Sequence, residues 1–149
     1  MSLELGRNVV KRLLLIVTVL VAGCGSIPSE SALNNPYKEV NVQTRDVEAK
    51  RVLTGSQNLV LVYARGLCCP SCSLGVRKTM SRLSFVNTDA PKKGIILDAE
   101  HQLVHVTLRS NTKANSADIW QAVEDAGYDP VTIYTFNAGA VGTEHHQSK

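Results

Sequence analysis

The chain is poor in aromatic residues, with one Trp, four Tyr and two Phe among 149 residues. It also lacks any apolar run near the roughly 20 residues that a membrane-spanning helix needs. Its main apolar stretch runs only from Leu13 to Ala22. Cysteine is scarce and uneven: of four, three lie at positions 68, 69 and 72. A disulfide-stapled fold spreads an even set along the chain, so this cluster reads as a site rather than a framework. No Ser/His/Asp arrangement, paired acidic cleft or phosphate-cradling loop is apparent, which argues for a binding protein and against an enzyme. No internal repeat is visible.

What is present begins with an export signal over residues 1–23. Arg7, Lys11 and Arg12 form its basic region, Leu13 to Ala22 its apolar region, and Val21-Ala22-Gly23 its small residues before cleavage. Val21-Ala22-Gly23-Cys24 resembles the lipobox of bacterial lipoproteins, which implies that Cys24 is lipidated and becomes the first mature residue. More than one acyl chain is what stable anchoring requires. Gly25 is not aspartate, and by analogy with enterobacterial sorting a periplasm-facing lipoprotein of the outer membrane is favoured. A permanent membrane anchor, or a soluble secreted protein with Cys24 at the cleavage point by coincidence, are the alternatives.

The apparent basicity of the whole chain, +3, comes largely from this segment. It holds Arg7, Lys11 and Arg12 against Glu4, which leaves 13 basic and 12 acidic residues, a net +1. A near-neutral chain with few rings for stacking excludes nucleic acid as the expected partner.

Residues 24–57 are expected to be a lipidated N-terminus and a flexible linker. Val40 and Val42 alternate like a strand while Val47, Lys50, Arg51 and Leu53 suit a short helix, and neither reading prevails. Residues 58–136 form the expected domain. Leu59 to Ala64 reads as a strand, and Pro70 to Leu83 as a helix with Val76, Met80 and Leu83 on one face. Ile95-Ile96-Leu97 and Leu103 to Leu108 flank a polar turn as a hairpin, with Val104, Val106 and Leu108 inward and His105 and Thr107 outward. Ser116 is the expected N-cap of a second helix with Asp118 in its first turn, a stripe at Ile119, Ala122, Val123 and Ala126, and Gly127 as C-terminal cap. Val131 to Phe136 closes as a strand. The order β-α-β-β-α-β predicts an α+β fold: a four-stranded antiparallel sheet with both helices on one face. Residues 137–149 are expected to be a mobile tail.

Two thiols three residues apart, Cys69 and Cys72, stand at the strand-to-helix loop, where they can close on one soft metal ion or on each other. A helix N-terminus favours the thiolate, the species that binds metal, and Arg65, Arg77 and Lys78 lie close enough in sequence to help. Thiolates select Cu(I), Zn(II) and other soft ions.

Gly66-Leu67-Cys68-Cys69-Pro70-Ser71-Cys72 after the first strand, with Glu124-Asp125-Ala126-Gly127-Tyr128 ending the second helix, resembles the heavy-metal-associated domain family. That family includes copper chaperones, the periplasmic mercury-binding protein and the N-terminal modules of metal-pumping ATPases. The resemblance covers Leu59 to Phe136. It implies a ferredoxin-like βαββαβ sandwich and a soft metal, Cu(I) first and Hg(II), Zn(II) or Cd(II) otherwise, held by Cys69 and Cys72. It further implies handover by ligand exchange to a metal transporter or another envelope metalloprotein. Gly66 and Leu67 flank the ligands, Leu67 standing where the family usually has methionine, and Tyr128 aligns with a residue beside the loop. Cys68 occupies a position usually small and polar. It is either a third ligand, suited to three-coordinate Hg(II), Cd(II), Pb(II) or Zn(II), or a small hydrophobe turned away.

Two other readings stand beside this one. Cys69-Pro70-Ser71-Cys72 has the C-P-x-C form of thioredoxin-like enzymes, which makes a periplasmic thiol-disulfide oxidoreductase the sharpest competitor. The other is an interaction domain whose thiols are simply oxidised. Elsewhere, Met80 and Trp120 are expected in the core, His101 and His105 in solvent, and Glu144-His145-His146 is at most a weak metal ligand set.

Overall fold

The computed structural model describes residues 39–67, 69 and 71–147. Residues 1–23, where an export signal is expected, and Cys24, Cys68 and Pro70 lie outside the described residues. Helix α1 spans Val42–Thr54, strand β1 Leu59–Arg65, helix α2 Cys72–Met80, strands β2 Ile95–Asp98 and β3 Leu103–Thr107, helix α3 Ser116–Asp125, and strands β4 Asp129–Asn137 and β5 Ala140–His145. A short 3-10 turn, Pro91–Gly94, precedes β2. No helix among these residues is long and apolar enough to cross a membrane.

The run LVLVYAR makes β1 a strand apolar on both faces, which only a central position can bury. It pairs antiparallel with β3 on one side and β4 on the other, and the sheet order is β2-β3-β1-β4-β5. Val62 lies opposite both Val104 and Ile133, so one row of apolar side chains crosses the sheet. Val60, Val62, Ala64, Val104, Val106 and Ile133 form one face beneath Val76 and Met80 of α2 and Ile119 and Val123 of α3. The two expected helices therefore share a face.

Leu61, Tyr63, Leu103 and Tyr134 form the other face, and Ala49 and Leu53 of α1 cover it. This corrects the sequence expectation in three places. The stretch assigned to a flexible linker carries a 13-residue helix. Its buried stripe is Arg45, Ala49 and Leu53, an i, i+4, i+8 pattern hidden because its first member is an arginine. Arg45 is buried because its polar atoms are used. Its Nε donates to the Tyr134 hydroxyl at 3.2 Å, Nη1 donates to the Val40 carbonyl at 3.2 Å, and the guanidinium lies 3.5 Å above the Tyr63 ring centroid.

Second, the sheet has five strands, not four. Part of the segment expected as a mobile tail returns as β5 along β4, through a two-residue turn in which Ala138 and Gly139 have φ of 50° and 84°. Two consecutive left-handed residues are the requirement of a tight hairpin whose twist matches its strands. Third, His105 does not project into solvent. It pairs with Leu61 and Ile96 on the face that α1 covers, its Nε2 is buried without a hydrogen-bond partner, and burial pulls its pKa down.

Smaller differences concern caps. α2 is shorter than the expected 70–83, and the N-cap of α3 is Asn115 rather than Ser116, its side chain accepting the Ala117 N–H at 3.0 Å.

Candidate functional site

The register of β1 against β4 shifts between Tyr63 and Ala64, one residue pair before the strand ends. A bulge at that point increases the local twist and re-aims the strand end. Arg65 comes to lie opposite Asp129, and its Nη1 donates to Asp129 Oδ2 at 2.8 Å, with Glu39 at 3.6 Å. Gly66 then turns the chain with φ of 85°, a conformation that a side chain makes costly. Leu67 drops into the core with no exposed surface, packing in the cluster shared by α2 and α3. That contact pins the middle of the loop.

Cys69 and Cys72 are both half-buried, and Cys72 opens α2. Their Cα atoms are 5.4 Å apart and their side chains are joined as a disulfide. The Cys72 N–H donates to the Cys69 carbonyl at 3.1 Å, which winds the segment into the first turn. Cys69 Sγ lies 3.0 Å from the Ser71 hydroxyl, and Cys72 Sγ 4.0 Å from the Gly66 carbonyl oxygen. Ser71 itself has helical backbone angles and makes no capping bond with its side chain. Cys72 thus stands at the positive end of α2, which the Ser71 side chain does not cap.

Tyr128 reaches the loop because of how α3 ends. Gly127, with φ of 86°, donates its N–H to Glu124 O at 2.8 Å, and the Tyr128 N–H returns to Val123 O at 3.2 Å. This paired closure of a helix C-terminus is the Schellman motif, and the left-handed residue is why glycine stands there. The chain leaves the helix with the Tyr128 ring bordering Gly66 and its hydroxyl donating to the Cys72 carbonyl at 3.5 Å. Gly66, Leu67, Cys69, Cys72 and Tyr128 are thus brought together. Cys24 and Cys68, with the third-ligand question, lie outside the described residues.

The basic residues behave differently from expectation. Arg65 is engaged by Asp129 and Glu39, while Arg77 and Lys78 fall in the last turn of α2, at the end away from the thiols. Arg77 donates to the Ile95 carbonyl at 3.3 Å.

Of the remaining residues, Met80 is fully buried, as its helical spacing suggested, and Trp120 nearly so. Trp120 packs against His146 with ring centroids 5.1 Å apart. Glu144, His145 and His146 do not converge: Glu144 accepts from Ser116, His145 meets Thr132, and His146 stands 3.5 Å from Glu124. His101 Nδ1 lies 2.7 Å from Asp98 Oδ2. Sequence reading missed that pairing, although an Asp three residues before a His in a hairpin turn was its signal.

Compared with protein-family models, with curated proteins and with solved structures, the chain matches none. Function therefore rests on the chemistry of the loop itself.

Proposed function

We propose that this protein binds a soft metal ion, Cu(I) first and Hg(II), Zn(II) or Cd(II) otherwise, between the reduced sulfurs of Cys69 and Cys72. The observation that carries this reading is the placement of two half-buried cysteines on a strand-to-helix loop, against an uncapped helix N-terminus. Two sulfurs close enough to bond to each other are close enough to share one ion after reduction. A site at the rim, rather than inside the core, leaves the ion open to a partner's thiols, so ligand exchange can pass it on without release to water.

The fold supports the same reading. The order β2-β3-β1-β4, with α2 and α3 on one face, supports reading this part as a ferredoxin-like sandwich, with α1 and β5 as additions. Together with Gly66-Leu67-Cys68-Cys69-Pro70-Ser71-Cys72 it favours membership of the heavy-metal-associated domain family. Lipidation at Cys24 would hold the domain in the cell envelope, where the partner is a metal transporter or another metalloprotein. The role is carriage or sequestration rather than catalysis.

The bonded state of Cys69 and Cys72 favours a second reading, thiol-disulfide exchange. Against it, every strand pairing among the described residues is antiparallel, and α2 follows a strand with no parallel neighbour among them. The test is one set of samples. The full chain is reduced, titrated with Cu(I), Hg(II), Zn(II) and Cd(II) against a competing chelator, and assayed for insulin reduction. Tight binding lost in Cys69→Ser and Cys72→Ser supports the carrier; sustained insulin turnover without metal binding replaces it with the oxidoreductase.

A further inference from the structure

The sheet face that does not carry α2 gathers a second set of ligating side chains. Asp98 pairs with Leu103 across the β2–β3 hairpin, and Leu103 belongs to the core beneath α1, so the Asp98 side chain faces that helix. From α1, Glu48 sits beside the buried Ala49, with its side chain only 13% exposed. His101, in the hairpin turn, and Asp98 are each 22% exposed. One ligand atom from each of Glu48, Asp98 and His101 lies within 4.8 Å of the other two.

The local structure holds these groups in place. Asp98 Oδ1 accepts the N–H groups of Glu100 and His101 at 3.0 and 3.1 Å, which orients its other oxygen toward the imidazole. Arg51 grips both oxygens of Glu48, yet its own side chain is 71% exposed and can swing away. A further nitrogen stands on the same face: His105 Nε2 is buried with no hydrogen-bond partner among the described residues, and His105 feels the charges of Asp98 and Glu48 and, in the opposite sense, those of Arg51 and His101. A buried imidazole nitrogen left unpaired is costly, so the face that carries the cluster also carries a polar group in want of a partner.

We propose that Glu48, Asp98 and His101 bind one divalent ion of the zinc class, at a site independent of the thiols. Two carboxylate oxygens and an imidazole nitrogen form a donor set that suits zinc and its first-row neighbours. Three protein donors leave a position for water. Because two ligands come from the hairpin and one from α1, the ion would clamp that helix onto the sheet. This inference does not rest on the function proposed for Cys69 and Cys72.

The experiment uses the full chain with Cys24, Cys68, Cys69 and Cys72 all replaced by serine, titrated with Zn(II) against a chromophoric chelator and by calorimetry. One ion per chain is expected, with a rise in melting temperature on loading. His101→Ala or Glu48→Gln should weaken binding by about tenfold or more, the scale seen when a metal site loses a supporting group. Arg51→Ala, at an exposed position, should tighten it by freeing Glu48 and removing a positive charge. Circular dichroism confirms that each variant is folded. No binding to the cysteine-free chain, or binding that neither His101→Ala nor Arg51→Ala alters, overturns the proposal.

Discussion

The Tyr128 hydroxyl stands 3.5 Å from the carbonyl oxygen of Cys72, so the end of α3 touches the residue that opens α2. Gly127 sets this contact through its left-handed backbone. An added Cβ there would meet nothing within 4 Å, so Gly127→Ala acts through conformation alone. We expect a loss of about 1–2 kcal/mol, read as a lower denaturant midpoint. Tyr128→Phe keeps the ring beside Gly66 and should cost about 1 kcal/mol or less, as the hydroxyl bond is long.

Gly94 is a different case. It has φ of 74°, and a Cβ would lie 2.4 Å from the Asn87 carbonyl oxygen. Backbone strain and a clash with backbone combine, and Gly94→Ala should destabilise the protein by about 2 kcal/mol or more. A thermal melt indistinguishable from wild type would contradict this.

Arg45 holds α1 to the sheet through Tyr134 and the Tyr63 ring, and it also binds the Val40 carbonyl just ahead of the helix. Arg45→Ala leaves those groups buried with fewer partners and opens a void beneath α1. A loss of about 3 kcal/mol is expected from breaking a buried charged network. Hydrogen exchange over Val42–Thr54 should rise more than over α2.

Alkaline stability reports on the same network. Burial, then the hydrogen bond to Glu39 at 2.7 Å, pushes the Tyr63 hydroxyl up to about 12 from its ordinary 10.0. The folded state keeps this proton when the unfolded state has lost it. Its contribution is therefore complete below pH 10 and disappears as pH rises toward 12. Tyrosinate absorbance should show late titration at Tyr63, and at Tyr134, which burial also raises; Glu39→Gln should move the Tyr63 step part of the way back, burial remaining the larger cause.

The central strand and the α2–α3 face were legible because their apolar residues keep a strict period: Val60, Val62 and Ala64 on the strand, Ile119 and Val123 on the helix. The cysteine loop was legible from spacing, and Gly127 from its place after an amphipathic run. α1 was not, since the position that begins its buried stripe is an arginine, and Val42 and Val47 are exposed. An apolar count cannot find a helix whose key contact is a cation on a ring. β5 escaped for a related reason. Most of its side chains are exposed, so its pairing with β4 is carried by backbone and by the turn at Ala138 and Gly139. His105 was misread because alternation along β3 gives two faces but not what covers the second.

X-ray absorption at the copper edge, on reduced full chain loaded with one equivalent of Cu(I), tests the central claim most directly. The expected result is a first shell of sulfur alone, lost in Cys69→Ser and in Cys72→Ser. A shell of nitrogen and oxygen, or a sulfur shell unchanged in those variants, would contradict it.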